Sequence, residues 1–253
     1  MIPSHFVKTV IKRDGREVPV AFDKITRRIR ALSQDLNVEP SFVTQQVTRS
    51  MVDCMNVSQI DELAAQESAF MIRKHIDYLT LAGRLIVSNL HKLTPSCFSE
   101  AMEIVHAQSL DYDPTVKKDG FFTNEFMHCV RKHANVLDAA IRHDMDYTYD
   151  YFAIQTMING GYMNKINRPV EKIIERPQYV HMRVALFLNM DDIPAALKTY
   201  KELSNKMYTH ASPTIFNAGK RNPQMSSCFL LQIADDSLDC IYDTLKQCAM
   251  ISK

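Results

Sequence analysis

Residues 7–25 read VKTVIKRDGREVPVAFDKI, and this stretch decides the first part of the fold. Apolar and polar residues alternate on both sides of Asp14-Gly15, a dipeptide that favours a tight turn between two strands. The pattern therefore predicts a β-hairpin over residues 7–22. Asp23 is then the expected N-cap of a helix. The apolar face of that helix would be formed by Ile25, Ile29, Leu32 and Leu36.

Three more amphipathic helices are predicted, beginning near Pro40, after Ser58 and near Tyr78. Their inward residues would be Val43, Val47, Met51 and Cys54 in the second helix, Ile60, Leu63, Ala64 and Met71 in the third, and Leu81, Ala82, Leu85 and Ile86 in the fourth. Residues 1–95 are thus expected to form one domain, a β-hairpin on a four-helix bundle.

The sequence pattern over residues 96–207 predicts a second, helical domain. Arg176–Met190 carries an apolar run and is expected to be a buried helix. Asp191 or Asp192 is the expected N-cap of the next helix, with Pro194 in its first turn. The inward residues of that helix would be Leu197, Tyr200, Leu203 and Met207.

The pattern changes at residue 208. A loop containing Ser212-Pro213-Thr214 leads to a predicted strand at 226–233 and then to a helix over 238–252. One face of that helix would carry Leu238, Ile241, Leu245, Cys248 and Ser252. Strand, turn and helix begin an α/β unit, and a single strand needs partner strands to form a sheet. The predicted fold class is therefore mainly α, of the α+β type, with an incomplete third domain at 208–253.

Composition excludes several classes of protein. The net charge of +1 argues against a broad nucleic-acid surface. No segment reaches the roughly 20 apolar residues of a membrane helix, and the N-terminus lacks a signal peptide, so a cytoplasmic protein is expected. The six cysteines lack CxxC spacing and the nine histidines form no ligand pattern, so we expect no metal in this chain. Cys54 and Cys248 are expected in the core.

Two segments of the sequence suggest a binding or catalytic site. Lys12, Arg13 and Arg16 on the hairpin, beside the helix that Asp23-Lys24 opens, favour a phosphate group, although on spacing alone a solvated hairpin with a good turn is the plainer explanation. Cys228 follows two serines within the predicted strand, where a buried structural thiol is the plain alternative. Asp235, Asp236 and Ser237 precede the last helix, where they could serve only as N-cap residues.

Residues 10–16, 22–25 and 84–92 resemble the ATP-cone, the regulatory nucleotide-binding domain of ribonucleotide reductases. The resemblance implies that ATP or dATP is surrounded by Lys12, Arg13, Asp23, Lys24, Asp61 and Lys92. Several members have Glu, a polar or larger residue, and Thr where this chain has Val18, Ala21 and Val57. We therefore expect dATP to bind weakly or not at all.

Residues 175–178, 208–219, 223–231 and 235–253 resemble the large (α) subunit of class I ribonucleotide reductase, of the eukaryotic type. With these strings the resemblance covers nearly the whole chain from residue 7. It implies that Cys228 is a redox-active cysteine, and that Ser212 and Ser227 contact a ribonucleoside diphosphate. The deoxynucleotide that sets substrate specificity would be held by Asp236, Ser237, Leu238 and Lys253.

The same resemblance implies the fold of the third domain, its cofactors and its partners. Residues 208–253 would begin the catalytic α/β barrel, and the 238–252 helix would pack against its copy in a second large subunit. Magnesium-bound ATP, dATP and deoxynucleoside triphosphates would be effectors. A metal-containing small subunit would supply the radical, and a thioredoxin or glutaredoxin-type protein would supply reducing equivalents. No nucleic acid or membrane is expected as a partner.

The chain is expected to be the N-terminal third of such a subunit, as a truncated form, a split-gene product or an interrupted gene segment. Alone it should not reduce ribonucleotides, because a single thiol cannot supply two electrons. Two alternatives stay open. One is a nucleotide-sensing regulator that binds DNA, against which the near-neutral charge argues. The other is a nucleotide-binding regulatory or inert fragment without catalysis.

Overall fold

A computed structural model describes residues 8–108, 120–166, 171–221 and 223–253 of the chain. Val7, the predicted first residue of the hairpin, and the N-terminal segment before it lie outside the described residues. None of the helices in the described ranges is long and apolar enough to cross a lipid bilayer.

The predicted hairpin is confirmed and gains a third strand. Strands β1 (Thr9–Ile11) and β2 (Glu17–Pro19) pair antiparallel with Val10 opposite Val18. Strand β3 (Met55–Asn56) pairs parallel to β1, which the sequence pattern did not predict because only two residues form it. Gly15 in the turn has a φ of 83°, a conformation that glycine adopts without strain.

The four predicted helices of the first bundle are confirmed. They are α1 (Phe22–Leu32), α2 (Pro40–Ser50), α3 (Val57–Phe70) and α4 (Asp77–Leu93). Pro40 begins α2 at a position where a missing backbone N–H costs nothing. Asn56 and Gln59 form a reciprocal capping box at the start of α3. The predicted inward residues of α4 are all buried.

Three details of the predicted bundle are wrong. Helix α1 begins two residues earlier than expected, so its N-cap is Ala21, and Asp23 lies in the first turn, where its charge suits the helix dipole. The same helix ends before Leu36, which nevertheless packs against the core. Cys54 is exposed, because α2 has already ended and this residue turns the chain with a φ of 58°.

The helical region that follows contains six helices in the described residues up to 204. They are α5 (Phe98–Gln108), α6 (Asn124–Lys132), α7 (Ala134–Ala140), α8 (Tyr151–Asn159), α9 (Pro177–Asn189) and α10 (Ile193–Ser204). Strands β4 (Lys165–Ile166) and β5 (Lys172–Ile173) form a small antiparallel ribbon. The buried helix and the capping of the next helix are confirmed, since Asp192 accepts a hydrogen bond from the Ala195 amide. Met207 is 71% exposed, against expectation, because the chain has left α10.

Two hydrophobic cores lie side by side. The first is built by the hairpin and α1–α4, and it also takes Ile154 of α8 and Val180 of α9. The second is built mainly by α5, α6, α9 and α10. A Cβ on Gly83 of α4 would lie 2.3 Å from the carbonyl oxygen of Tyr149, so the bundle and the helical region meet backbone to backbone. The domain boundaries near residues 95 and 207 remain predictions.

The C-terminal part departs from the prediction in three ways. Residues Ser212–Asn217 form a short helix, α11, instead of a loop, with Pro213 in its first turn. No strand forms at 226–233, since no other strand in the described residues pairs with this segment. Helix α12 (Leu238–Ser252) is confirmed, but none of its residues is buried, so Cys248 is exposed and not a core residue.

Candidate functional site

A cavity lined by several charged side chains lies in the first bundle, between the hairpin, α1, α3 and α4. Its volume is about 260 Å³. Its charged lining residues are Lys12, Lys24, Arg28, Asp61 and Lys92. Its apolar lining residues include Val10, Val18, Ala21, Ile25, Val57 and Leu85. One cavity therefore offers both apolar contact and a concentration of positive charge.

The positive charge is organised around the buried carboxylate of Asp61 on α3. Arg13 Nη2 donates to Asp61 Oδ2 at 2.7 Å, and Arg28 forms a salt bridge with Asp61 Oδ1. Lys92 Nζ lies 3.8 Å from Asp61 Oδ2. Three cations thus share one carboxylate, which leaves two positive charges uncompensated within the cluster. Such an excess of cations favours an anion of several charges.

Helix α4 supplies the polar atoms that hold the two guanidinium groups. Asn89 Oδ1 accepts from Arg13 Nη2 at 2.7 Å, and Ser88 Oγ accepts from Arg28 Nη2 at 3.1 Å. Arg28 Nε is buried and has no hydrogen-bond partner among the described residues. A buried N–H without an acceptor is costly, so this donor is available to an anionic ligand.

Burial makes the cations of this cluster easier to deprotonate. Loss of water around the side chain, followed by repulsion from Arg28 and Arg13, lowers the pKa of Lys92 to about 8. Burial and the charge of Arg13 also lower the pKa of Arg28 to about 10, which still leaves it charged at neutral pH. The proximity of these like charges disfavours the free state of the cluster, and a bound anion would relieve that repulsion.

The structure brings together most of the residues expected around a nucleotide. The cavity is lined by Lys12, Lys24, Asp61 and Lys92. Arg13 does not line it but forms a salt bridge with Asp61, which does. Asp23 does not line the cavity. Val18, Ala21 and Val57, the residues that depart from the ATP-cone pattern, all do, so the expected polar groups are replaced by apolar wall.

The sequence pattern missed Arg28 as a site residue. The signal was present, since Arg28 lies three positions after Ile25 and directly before Ile29, at the edge of the apolar face of α1. Its neighbour Arg27 is exposed and does not line the cavity. The two arginines therefore differ in environment although they are adjacent in sequence.

The second group of predicted site residues begins at α11. Ser212 Oγ lies 2.9 Å from the hydroxyl of Tyr162. Arg183 of α9 fixes the other end of this helix by donating to the carbonyl oxygens of Ile215 and Ala218 at 2.9 and 3.0 Å. Arg183 is itself held by Glu175 at 2.6 Å in a pair with no exposed side-chain surface.

Cys228 and Ser227 lie on an exposed, irregular segment after α11, with the sulfur of Cys228 and the side-chain oxygen of Ser227 3.7 Å apart. The start of the segment is attached to α11, since Asn217 Nδ2 donates to the Gln224 carbonyl at 2.7 Å and Thr214 Oγ1 to the Met225 carbonyl at 3.4 Å. No hydrogen bond among the described residues joins Ser212 to Ser227 or Cys228. These three residues therefore do not form a closed site here.

The predicted specificity-effector residues are divided between the two ends of α12. Ser237 is the N-cap, with its Oγ accepting from the Cys240 amide at 3.3 Å, and Leu238 begins the helix. The backbone amide of Asp236 is bonded to the side chain of Asp235. Lys253 follows the last turn, roughly 22 Å away for a helix of this length. One chain does not bring Lys253 to the other three residues.

Comparison with known families and proteins identifies two domains. The ATP cone domain matches residues 8–93, and the ribonucleotide reductase all-alpha domain matches residues 147–223. The chain is 45% identical over 247 residues to the ribonucleoside-diphosphate reductase large subunit of Caenorhabditis elegans. It is 45% identical over 249 residues to the large chain of Schizosaccharomyces pombe, and 43% identical over 251 residues to the large subunit of Vaccinia virus.

These alignments cover 96% of this chain but only 31%, 30% and 31% of the three relatives. The chain therefore spans about a third of the length of the curated relatives it matches. The resemblance to the ATP-cone and to the N-terminal part of the reductase large subunit is confirmed.

Proposed function

We propose that this chain, homologous to the N-terminal part of ribonucleoside-diphosphate reductase large subunits, binds a nucleoside triphosphate in the cavity around Asp61 and carries one redox cysteine of the enzyme, Cys228. The observation that carries the nucleotide part is the cluster of Arg13, Arg28 and Lys92 on one carboxylate. The Nε of Arg28 adds to it, since this donor has no hydrogen-bond partner in the part of the chain that the structure describes.

The chemistry of the cavity supports a triphosphate. The excess positive charge and the free Arg28 Nε suit phosphate oxygens, which accept several charge-assisted hydrogen bonds. The apolar wall suits the face of a base. Because Val18, Ala21 and Val57 offer no side-chain hydrogen bond, the ribose and base are recognised without polar specificity, so affinity is weak and ATP and dATP are poorly discriminated.

The experiment is a calorimetric titration of the 253-residue chain with magnesium ATP and magnesium dATP. Arg28→Gln removes the donor inside the cavity, and Arg27→Gln removes an equal charge from the exposed neighbouring position. We expect Arg28→Gln to weaken ATP binding at least about tenfold, the loss of one charge-assisted hydrogen bond or more, and Arg27→Gln to leave it nearly unchanged. Equal affinity in the two variants would place the nucleotide elsewhere.

The redox part of the proposal rests on the resemblance around Cys228 and on its exposure. In the proposed reaction two thiols, Cys228 and a second cysteine from the remainder of the large subunit, are oxidised to a disulfide. The ribonucleoside diphosphate is reduced at the 2′-carbon, whose C–OH becomes C–H while the oxygen leaves as water. The disulfide is then reduced again by thiol exchange with a thioredoxin or glutaredoxin-type protein.

The exposed segment that carries Cys228 and the exposed helix α12 agree with a chain that completes its site with other polypeptide. The remainder of the large subunit would pair with residues 226–233 and cover α12, and a second large subunit would share the effector site. That arrangement would let Lys253 of one chain approach Asp236, Ser237 and Leu238 of another. A metal-containing small subunit would supply the radical that initiates the reaction.

A further inference from the structure

The corner between α6 and α7 holds a second cluster of chemistry-bearing side chains, far along the chain from the nucleotide cavity. Cys129, His133 and Asp191 each place one sulfur, nitrogen or oxygen atom within 4.8 Å of the others. We propose that these three residues form a binding site for a divalent transition metal of the zinc class. The proposal is independent of the proposed nucleotide and redox functions.

The backbone fixes two of the three ligands. Cys129 lies on α6, and His133 ends this helix with its amide bonded to the Cys129 carbonyl at 3.1 Å. The next helix starts at once, since the amides of Val136 and Leu137 donate to the His133 carbonyl at 3.0 Å. The four-residue spacing therefore places thiol and imidazole on the same side of one helical turn.

The imidazole is the side chain that most needs a ligand. His133 Nε2 is buried, and no hydrogen-bond partner for it exists among the described residues. A buried ring nitrogen without a partner is unfavourable, whereas coordination of a metal would satisfy it. The unpaired nitrogen is a separate observation from the distances within the cluster, and it also indicates that a ligand binds here.

Asp191 approaches from the turn between α9 and α10. The preceding residue, Met190, has a φ of 46°, which is strained for a residue with a side chain. This turn also brings the Met190 carbonyl to the Cys129 thiol, which donates to it at 3.3 Å. The Asp191 side chain is 74% exposed and lies 3.5 Å from Lys132 Nζ, so it can rotate towards a metal without breaking buried contacts.

The donor set determines the chemical class of the metal. Thiolate and imidazole together select zinc and its neighbours over magnesium or calcium, which prefer oxygen ligands. Ligands of a tetrahedral zinc lie about 2.0–2.3 Å from the metal, so the three atoms must close by roughly 1 Å. Water at the exposed Asp191 side would complete the fourth position. Such a metal would join the α6–α7 corner to the α9–α10 turn.

Two features of the site oppose metal binding. Burial and the charge of Asp191 raise the pKa of the Cys129 thiol, so the metal must displace a proton to bind. The thiol must also give up its hydrogen bond to Met190. Both changes are ordinary for a thiolate ligand. The proposal differs from the sequence-based expectation of no metal, which could not take this cluster into account because Asp191 is distant in sequence from Cys129 and His133.

Cobalt(II) is the probe, because a thiolate–cobalt bond absorbs in the near ultraviolet and tetrahedral cobalt absorbs in the visible range. The metal-free full chain is titrated with Co²⁺, followed by displacement with Zn²⁺. We expect one Co²⁺ with a thiolate band, loss of that band in Cys129→Ser, and an affinity at least about a hundredfold lower in His133→Gln. Cys97→Ser and His128→Gln, both at exposed positions, are matched controls and should leave the spectrum unchanged.

Three results would overturn the proposal: no thiolate band in the wild type, a band that persists in Cys129→Ser, or equal losses in the controls. If circular dichroism shows that Cys129→Ser or His133→Gln does not fold, Asp191→Asn decides the matter, since this exposed side chain can be changed without disturbing the core. An affinity at least about tenfold lower in Asp191→Asn supports the site, and an unchanged affinity refutes it.

Discussion

Asp61 is the carboxylate around which the cations of the proposed nucleotide cavity gather, and Lys92 is the cation of this cluster whose pKa lies nearest to neutral pH. Since the pKa of Lys92 is lowered to about 8, this side chain is charged at pH 7 and neutral well above pH 8. A bound phosphate would favour the charged form, so nucleotide affinity must fall as pH rises through that value.

The pH dependence of ATP binding therefore tests Lys92. Between pH 7 and pH 9.5 we expect the affinity of the wild type to decrease several-fold. Lys92→Gln should bind more weakly at pH 7 and show a flatter profile, because it has no proton to lose. Calorimetric titrations across this range give the measurement. A wild-type profile as flat as that of the variant would remove Lys92 from the site.

Val18 and Val57 allow a gain-of-function test of the apolar wall. Both line the cavity, and neither offers a hydrogen bond to a ribose hydroxyl. The double variant Val18→Glu, Val57→Thr should raise dATP affinity by roughly up to tenfold, the value of one or two new hydrogen bonds. Val52→Thr, at an exposed position outside the cavity, is the control. No gain in the double variant would mean that these valines do not limit binding.

At the scale of elements, the fully buried pair of Glu175 and Arg183 joins α9 to α11. Glu175 also accepts from the Asn164 backbone amide at 2.8 Å, so both of its oxygens are hydrogen-bonded. Glu175→Gln would leave the Arg183 charge buried without its partner, which costs about 3–5 kcal/mol. Denaturant unfolding measures this loss. Glu171→Gln, which breaks an exposed pair with Lys165, should cost less than about 1 kcal/mol.

If Glu175→Gln proved as mild as Glu171→Gln, the pair would not be the fixed support of α11 that the contacts indicate. Ser212 would then be positioned by its own contact with Tyr162 alone.

Helix α12 should behave very differently from α4. Its apolar residues Leu238, Tyr242 and Leu245 are 74%, 65% and 59% exposed, and a 15-residue helix without packing is marginal in water. We expect its amides to exchange with solvent orders of magnitude faster than those of α4, measured by hydrogen exchange of the isolated chain. Equal protection would show that α12 is stabilised by contacts absent from the described structure.

At the scale of the whole molecule, local patterns predicted most of the fold. The apolar periodicity of α1–α4 and the Asp14-Gly15 turn gave the first bundle, and Asp192 capped α10 as expected. Features that depend on distant segments could not be predicted in this way. Strand β3 pairs over two residues only, and the α6–α7 corner meets Asp191 only after the helical region has folded.

In the candidate sites, too, local sequence patterns predicted some features, and contacts between distant segments decided the others. Lys12 and Arg13 on the hairpin and Lys24 on α1 were visible in the sequence as a group of cations. Arg28 was not recognised, because whether Arg28 or Arg27 enters the cavity depends on the rotation of α1 against α3. The strand predicted at 226–233 from its composition does not form, since no strand within the described ranges pairs with it. The residues around Cys228 that resemble the reductase family are therefore present, whereas the described residues do not form the surroundings that the proposed redox role requires.

The most direct test of the account is ribonucleotide reduction after reconstitution. The chain is combined with the remaining part of a homologous large subunit, a radical-generating small subunit and a dithiol reductant, and turnover of CDP is measured. We predict multiple turnovers with the wild type and with the control Cys97→Ser, and none with Cys228→Ser, which should still bind nucleotide in the Asp61 cavity. Sustained turnover by Cys228→Ser would contradict the account.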